Sequence, residues 1–134
     1  MHINRELLLK QPGDHHVICY WNTRSYWPPS YHPRLNAFFV PYVENCLDMT
    51  AADPSKNIRE RRVGAPRDPN TLDHWAGLMK IDVATGVMTP IYTGRAPSQG
   101  AVLSTDGDVV FWGDLDQKFR AFDAESGKTL WETT

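Results

Sequence analysis

Short apolar runs separated by turn residues fill the last third of the chain. Residues 101–105 and 108–112 are apolar and rich in β-branched side chains, and Asp106-Gly107 between them suits the positive φ angles of a tight hairpin. Large and polar residues alternate over 119–122, and a further short run covers 129–131 beyond a turn. The pattern predicts four short antiparallel strands in a meander. Such a sheet cannot bury both of its faces alone, so it needs a neighbouring sheet.

A repeated turn motif indicates that neighbour. Residues 81–86, IDVATG, match residues 122–127, FDAESG, and their Asp residues, Asp82 and Asp123, are 41 positions apart. In each copy, Asp and Ser or Thr can satisfy turn amides while Gly takes the positive-φ position. Farther upstream, residues 27–43 match the layout of the later hairpin, with two short runs around a Pro-Arg-Leu-Asn turn. We therefore expect two consecutive four-stranded units.

The two units divide the chain into three parts. Residues 1–26 are predicted to be a partial lead-in, residues 27–93 a first unit with a long insertion at 47–74, and residues 94–134 a second unit with the later turn motif. A repeat period near forty residues with four strands in each repeat is typical of a β-propeller blade. The predicted fold class is all-β, with about two four-stranded antiparallel propeller blades.

Composition agrees with a small globular domain. Of the 134 residues, 41% are hydrophobic and 22% charged, and the net charge of −2 gives no broad electrostatic footprint for nucleic acid. Ten Pro and nine Gly favour many turns over long helices. No apolar run is long enough to cross a bilayer, and the three leucines at 7–9 are too few for the core of an export signal. We expect neither a membrane span nor a signal peptide.

Several residue clusters leave alternatives open. The aromatic residues between 19 and 31 suit either a pocket for a planar ligand or the packing between blades. Cys19 and Cys46 flank the first predicted hairpin, so they form either a disulfide or two buried thiols. A basic cluster in the insertion suits a phosphate or an acidic partner, or a solvated loop, and its members are Lys56, Arg59, Arg61, Arg62 and Arg67.

Residues able to carry catalysis or bind a metal are not indicated by the pattern alone. His15 and His16 are adjacent, and adjacent side chains on a strand point to opposite faces, so the pair is not expected to chelate a metal. Asp82, Asp106 and Asp123 already have predicted roles in turns. The residue pattern by itself therefore predicts an architecture but no catalytic or metal-binding site.

The sequence nevertheless resembles the carboxy-terminal part of the quinoprotein alcohol dehydrogenases, the family that uses pyrroloquinoline quinone (PQQ). The matching segments follow in order: VIC at 17–19, WPPSYHPRLNAFFVPYVENC at 27–46, GLMKIDVATG at 77–86 and GAVLSTDGDVVFWGDLDQKFRAFDAESGKTLWE at 100–132. The last segment fits the family's tryptophan-docking pattern, through which each blade lies against its neighbour, and its docking residues are Ala121, Asp123, Ser126, Gly127 and Trp131.

The resemblance implies an eight-bladed propeller in which the quinone stacks over the central channel beside a calcium or lanthanide ion. Intact relatives oxidise a primary alcohol to an aldehyde with the quinone as acceptor. The resemblance also favours a disulfide between Cys19 and Cys46, and it implies a periplasmic setting in which such a bridge persists. The family's metal ligands, catalytic base and quinone-stacking tryptophan lie upstream of the matched segments, so no catalytic or metal-binding residue is predicted in this chain.

Two positions that contact the quinone in the family fall inside the chain. They hold Tyr26, where an Asn is usual, and Gln99, and the amide of Gly100 is a further candidate for the quinone edge. The first docking motif also departs from the family pattern, with Lys80 in place of a small residue and Pro90 in place of the Trp. Asp116-Gln117 replaces a usual Asp-Gly at another turn.

The resulting prediction is a fragment that resembles a PQQ-dependent alcohol dehydrogenase and is inactive alone. Its expected partners are the missing propeller blades or further copies of itself, and a small alcohol only after completion. The alternative is a non-catalytic propeller-repeat module for binding or scaffolding, because two blades leave open sheet edges that can pair with another chain.

Overall fold

Three antiparallel sheets make up the protein in the computed structural model, which describes residues 5–18, 27–53, 61–66, 68, 70, 73–98 and 100–134. One short 3-10 turn, Arg5–Leu7, precedes the strands. Within the described ranges there is no helix long and apolar enough to cross a membrane. The strands are β1 His15–Ile18, β2 Ser30–His32, β3 Ala37–Val43, β4 Asn45–Thr50, β5 Arg61–Pro66, β6 Ala76–Asp82, β7 Met88–Gly94, β8 Leu103–Ser104, β9 Val109–Gly113, β10 Phe119–Asp123 and β11 Thr129–Thr133.

Two of the sheets have four strands each, as the pattern predicts. The first blade has the order β2-β3-β6-β7, and the second blade is the consecutive meander β8-β9-β10-β11. In the first, Ala37 pairs with Asp82 and Val43 with Ala76, so β3 and β6 are in register along their whole length. The prediction of an all-β fold built from two four-stranded antiparallel sheets is confirmed.

The two copies of the turn motif have the same geometry. Asp82 Oδ1 accepts hydrogen bonds of 2.7 Å from both the amide and the hydroxyl of Thr85, and Asp123 Oδ1 accepts the same two from Ser126 at 2.7 Å. The glycine after each hydroxyl residue has a positive φ, 73° at Gly86 and 75° at Gly127. The identical hydrogen bonding shows why the motif needs this order of Asp, hydroxyl and Gly.

The hairpin between β8 and β9 places its positive φ angle later than the sequence suggested. In the hairpin between β8 and β9, the left-handed residue is Asp108, with φ 60°, and neither Asp106 nor Gly107 has a positive φ. The Asp108 amide donates to the Thr105 carbonyl at 3.2 Å, so residues 105–108 form a turn that ends in one left-handed residue, the three-residue form of hairpin loop. Gln117, with φ 63°, has the same place in the next hairpin.

A third sheet, the side sheet, lies where regular structure was not expected. It has the order β1-β4-β5, so a strand from the predicted lead-in pairs with two strands from the predicted insertion. Only Glu44 separates β3 from β4, and its amide donates to the Trp75 carbonyl at 2.6 Å. Because β4 continues directly from a blade strand, the chain leaves the blade as a strand. Of the basic cluster, Arg61 and Arg62 lie on β5, whereas Lys56, Arg59 and Arg67 lie outside the described residues.

The hydrophobic core lies between the two blades. Phe39 and Leu78 of the first blade pack with the buried side chains of the second, of which the largest are Trp112 and Phe122. Ile91 and Tyr92 of β7 close the same core from the rim. Each sheet therefore covers one face of the other, which meets the need of a single sheet for a neighbour.

Candidate functional site

The junction between the starts of β2 and β8 is the site to which the predicted quinone contacts point. The segment that leads into β2 and the segment that leads into β8 lie side by side, because the Val102 amide donates to the Pro28 carbonyl at 3.2 Å. Tyr26 and Gln99 lie outside the described residues, and they belong to these two segments. Segments that are about seventy positions apart in the sequence thus meet at one place.

Two serines join the blades at this junction. The Ser104 amide donates to Ser30 Oγ at 2.9 Å, and the two hydroxyl oxygens are 2.5 Å apart. The Ser104 hydroxyl also lies 3.2 Å from the Tyr31 carbonyl, to which it can donate. Both serines are part-buried, so the hydroxyls serve as links between β2 and β8. Their partnership was not predicted, since hydroxyl residues in separate strands carry no pairing signal in the sequence.

Gly100 is the one candidate quinone contact that the structure describes. It is exposed, and its amide donates to Ser98 Oγ at 3.1 Å, while Ser98 itself is 1% exposed. A quinone oxygen would therefore compete with a buried hydroxyl for this amide.

The docking turn of the second blade rests on the first blade. A β-carbon placed on Gly127 would be 2.9 Å from Ile91 Cδ1, so the turn lies directly against β7. The hydroxyl and amide hydrogen bonds from Ser126 hold the pKa of Asp123 below its ordinary value, and those from Thr85 do the same for the pKa of Asp82. Both carboxylates are thus ionised structural acceptors in turns.

Lys80 adds a polar link at the same contact. Its ammonium donates to the carbonyl of Ala124 at 3.0 Å and to that of Glu125 at 2.9 Å, both in the docking turn. The family pattern expects a small residue at this position, and the structure shows what the lysine does instead. It crosses the blade boundary and satisfies two turn carbonyls.

The predicted docking residues Ala121 and Trp131 lie on the other side of the second blade. Ala121 is buried, whereas Trp131 is 49% exposed and meets Phe119 of its own sheet edge to face, with ring centroids 6.2 Å apart. Gly127 thus contacts the preceding blade, while Trp131 lies on the face that points away from it. Their role in docking a further blade stays a prediction.

A buried arginine between the blades was missed by the sequence reasoning. Arg120 is 4% exposed, donates to Asp114 Oδ2 at 2.5 Å and to Glu132 Oε2 at 2.6 Å, and lies over the ring of Tyr92. The hydrogen bonds from Lys118 and Arg120 lower the pKa of Glu132. An arginine at an inward position of an alternating strand is the signal that could have indicated it.

A second inter-blade polar cluster joins two turns. Asp108 Oδ1 accepts from Arg34 Nε at 2.9 Å, and it lies 3.2 Å from Nε2 of the buried His32, outside the angular range of a hydrogen bond. His32 Nδ1 accepts from the Leu35 amide at 3.4 Å. The left-handed conformation of Asp108 therefore brings its carboxylate to the turn of the first blade.

The histidine and cysteine predictions have separate outcomes. His15 Nε2 pairs with Asp48 across the side sheet, and among the described residues no group of three or more His, Cys, Asp or Glu could hold a metal ion. Cys46 is fully buried, and Cys19 lies outside the described residues. The disulfide between them stays a prediction.

Curated proteins similar to this chain are quinone-dependent dehydrogenases. One is the 1-butanol dehydrogenase (quinone) of Thauera butanivorans, 28% identical over 106 residues that cover 78% of this chain and 17% of that protein. Another is the quinoprotein ethanol dehydrogenase of Pseudomonas aeruginosa, 40% identical over 60 residues that cover 45% of this chain and 10% of that protein. No protein-family model matches the chain.

A solved structure supports the fold. A europium-containing methanol dehydrogenase superposes with a TM-score of 0.77 over 92% of this chain and 23% of its own, at 19% sequence identity. The chain therefore spans about a fifth of the length of the proteins it matches. The chain is thus similar in sequence to quinoprotein alcohol dehydrogenases, and its two adjacent four-stranded sheets match the propeller fold of a methanol dehydrogenase.

Proposed function

We propose that this chain is a two-blade part of a PQQ-dependent alcohol dehydrogenase propeller and that it does not oxidise alcohols alone. The observation that carries the proposal is the junction of β2 and β8, where the segments next to Tyr26 and Gln99 are hydrogen-bonded through Pro28 and Val102. In a completed ring, these segments would present their polar groups to the edge of the quinone. The quinone, when bound, supplies the hydride acceptor for alcohol oxidation.

Four carboxylates of the described residues support inactivity of the isolated chain. A general base must be free to accept a proton from the substrate. Asp82 and Asp123 accept the amides and hydroxyls of their own turns, Asp114 is bound by Arg120, and Asp108 by Arg34. Each of these four carboxylates has a structural partner, which supports the proposal that the base and the metal ligands come from other blades.

We expect the isolated chain to bind the quinone only weakly. The Gly100 amide already donates to Ser98 Oγ, so the quinone would gain little from it until the neighbouring blades form the rest of the pocket. By resemblance, PQQ is the cofactor of the completed enzyme, with calcium or a lanthanide beside it. On the same resemblance, we propose that the completed protein is located in the periplasm.

Two parallel assays test this proposal. The isolated chain is mixed with PQQ and either Ca²⁺ or La³⁺, and alcohol-dependent reduction of an electron-acceptor dye is followed with ethanol and 1-butanol. We expect no dye reduction above the level without alcohol. In the second assay, residues 15–134 replace the matching blades of the butanol dehydrogenase of Thauera butanivorans, and the hybrid is expected to retain PQQ through gel filtration.

Each assay can contradict its own part of the proposal independently of the other. Turnover by the isolated chain would contradict the proposed inactivity. A folded hybrid that has lost PQQ would contradict the proposed place of these blades in the propeller. The matched control is the same hybrid with Gly100→Pro, which removes the amide that faces Ser98 and is expected to weaken PQQ retention.

A binding or scaffolding module is a second candidate, favoured by one observation. The outer strand β11 is exposed at every residue, and Leu130 and Trp131 on it are each about half exposed. An edge strand with large apolar side chains is suited to pairing with another chain. Dye reduction does not test this candidate, and a measurement of association does.

A further inference from the structure

The inter-blade connection, residues 95–98 and 100 between β7 and β8, is held from both blades. On the side of the first blade, the indole of Trp75 donates to the Arg95 carbonyl at 2.7 Å. On the side of the second blade, the Leu115 amide donates to the Pro97 carbonyl at 3.0 Å. Each blade therefore fixes one backbone carbonyl of the connection.

Ser98 links the connection to the candidate quinone contact. This serine is buried, and its Oγ accepts the Gly100 amide at 3.1 Å. Because Ser98 follows Pro97 directly in the chain, the hydrogen bond from Leu115 to Pro97 also restricts where the serine hydroxyl lies. A shift of the Pro97 carbonyl would therefore move the partner of the Gly100 amide.

The turn that supplies the Leu115 amide is organised by one carboxylate. Oδ1 of Asp114 accepts hydrogen bonds from the amide of Asp116 at 3.0 Å and from the amide of Lys118 at 3.2 Å. A side chain that accepts amides two and four positions ahead holds the backbone of its own turn. Leu115 lies between these amides, so the carboxylate sets the direction of the Leu115 amide as well.

Arg120 binds the other oxygen of the same carboxylate. Its guanidinium donates to Asp114 Oδ2 at 2.5 Å while it lies over the ring of Tyr92 in the first blade. Both side chains of the ion pair are almost fully buried. A buried carboxylate that is bound through both oxygens has little freedom to rotate. The ion pair therefore holds the turn of the second blade in place against the first blade.

We propose that Asp114 and Arg120 are positioning residues for the quinone site. They hold the Leu115 amide against the Pro97 carbonyl and so fix the Gly100 amide, without a contact of their own to the quinone. The inference rests on the proposed function, because the role of Gly100 at the quinone comes from there. The contact between the turn and the connection is nevertheless present without the quinone, so it can be tested in the chain itself.

The opposite end of the second blade provides a matched comparison. The turns of residues 105–108 and 114–117 have the same form, because in both the amide of the fourth residue donates to the carbonyl of the first at 3.2 Å and the fourth residue is left-handed. Asp106 and Leu115 have the second position, and both are exposed. Proline suits this position, so either residue can be replaced by proline with the turn retained.

Amide hydrogen exchange followed by NMR tests the proposal in the full chain, with no quinone present. Leu115→Pro removes the amide that donates to the Pro97 carbonyl. We expect exchange at the Gly100 amide to become about tenfold faster, the factor that corresponds to the loss of one hydrogen bond. Asp106→Pro is the control and is expected to change exchange at Gly100 by less than about threefold. Equal exchange at Gly100 in the two variants would overturn the proposal.

Arg120→Ala tests the ion pair with a readout that a loss of overall stability does not produce. We expect exchange at the Leu115 amide to rise by a larger factor than exchange at the Ala124 amide, which bonds the Asp108 carbonyl at the opposite end of the blade. Equal factors at the two amides would overturn the positioning role. If Arg120→Ala loses its circular dichroism signal, Asp114→Asn takes its place, since asparagine keeps an oxygen for the turn amides.

Lys118→Ala is the control for the ion pair. The Lys118 side chain bonds Glu132, the second carboxylate bound by Arg120, and its removal leaves the pair of Arg120 with Asp114 in place. Exchange at the Leu115 amide is expected to change by less than about threefold. A change at Leu115 as large as that in Arg120→Ala would overturn the role given to the ion pair.

The hybrid enzyme with residues 15–134 separates this inference from the proposed function. We expect Leu115→Pro in the hybrid to cause loss of PQQ on gel filtration, and Asp106→Pro to leave PQQ retention unchanged. A hybrid that retains PQQ equally with and without Leu115→Pro would overturn the positioning role. A parent hybrid that loses PQQ would contradict the proposed function, while the exchange measurements still decide whether the turn fixes the Gly100 amide.

Discussion

Arg120 of the second blade lies over the ring of Tyr92 of the first, with the guanidinium carbon 4.3 Å from the ring centroid. The same guanidinium donates to Asp114, whose side chain is 1% exposed, and to the half-exposed Glu132. A planar cation that stacks on an aromatic ring and binds two carboxylates is a role that lysine does not reproduce. The inter-blade core therefore includes a buried guanidinium that hydrogen-bonds to two carboxylates.

Arg120→Ala is expected to lower the free energy of unfolding by about 3 kcal/mol, since it leaves the buried Asp114 carboxylate without its cation. Lys118→Ala is the control, because Lys118 bonds the same Glu132 but is 36% exposed, and its loss should cost less than about 0.5 kcal/mol. Urea unfolding followed by tryptophan fluorescence measures both. Equal losses for the two variants would contradict the structural role given to Arg120.

Gly86 and Gly127 form a matched pair for the docking contact. Both have φ near 75°, so Ala at either position should cost about 1 kcal/mol of backbone strain. Gly127→Ala should cost more, because its new methyl group would press on Ile91 Cδ1. Ile91→Val removes that carbon and should recover part of the extra loss in the double variant. A Gly127→Ala loss equal to that of Gly86→Ala would show that the turn does not rest on β7.

The strands of the second blade could be predicted because their signal is local. The turn motif at 122–127 fixes its own hydrogen bonds, and the alternation from Phe119 to Phe122 fixes which side chains share a face. The side sheet could not be predicted in this way. Its strands β1, β4 and β5 are separated by long stretches of chain, and non-local pairing leaves no periodic trace in the sequence.

The family resemblance selected the segments of the candidate site and gave no information on their contacts. Family resemblance pointed to the segments before β2 and β8, and the hydrogen bond between Val102 and Pro28 brings these segments together. The serine link between Ser30 and Ser104 depends on the relative placement of two sheets, which no local pattern encodes. The roles of Lys80 and Arg120 are hidden for the same reason, since their partners lie in the other blade or in a turn.

The acid stability of the protein is expected to depend on Asp82 and Asp123. Hydrogen bonds from Thr85 and Ser126 lower the pKa of each carboxyl in the folded state, so the unfolded state binds protons more readily. The stabilisation is complete above the ordinary Asp pKa near 3.8 and is lost as the pH falls through the lower folded pKa. Unfolding by urea at a series of pH values should therefore show falling stability below this range.

The variant Ser126→Ala distinguishes the pKa of Asp123 from that of Asp82. It removes the hydroxyl hydrogen bond that contributes most to the lowered pKa of Asp123, so this pKa should rise toward its ordinary value while that of Asp82 stays unchanged. Thr85→Ala should do the reverse. Carboxyl carbon shifts measured by NMR across the acid range report each residue alone. A shift of both residues in either variant would contradict the assignment of one hydroxyl to each turn.

Lys80→Met tests the polar link between the blades. The methionine keeps an apolar stem but loses the ammonium that donates to the carbonyls of Ala124 and Glu125, and we expect a loss of about 1–2 kcal/mol. Lys128→Met is the control on the exposed side of the docking turn, and it should change the free energy of unfolding by less than about 0.5 kcal/mol. Equal changes in the free energy of unfolding for the two variants would contradict the role of Lys80 in the inter-blade contact.

The predicted bridge between Cys19 and Cys46 has a direct chemical test. The two residues are 27 positions apart, and closing a loop of this size typically stabilises a fold by about 3 kcal/mol through restriction of the unfolded chain. The non-reduced protein, unfolded in guanidinium, should show no reactive thiol, and reduction should lower its unfolding midpoint by a corresponding amount. Cys46→Ala should match the reduced wild type and be insensitive to reductant. Two titratable thiols in the non-reduced protein would favour the alternative of two buried cysteines, and would weigh against an oxidising compartment for this chain.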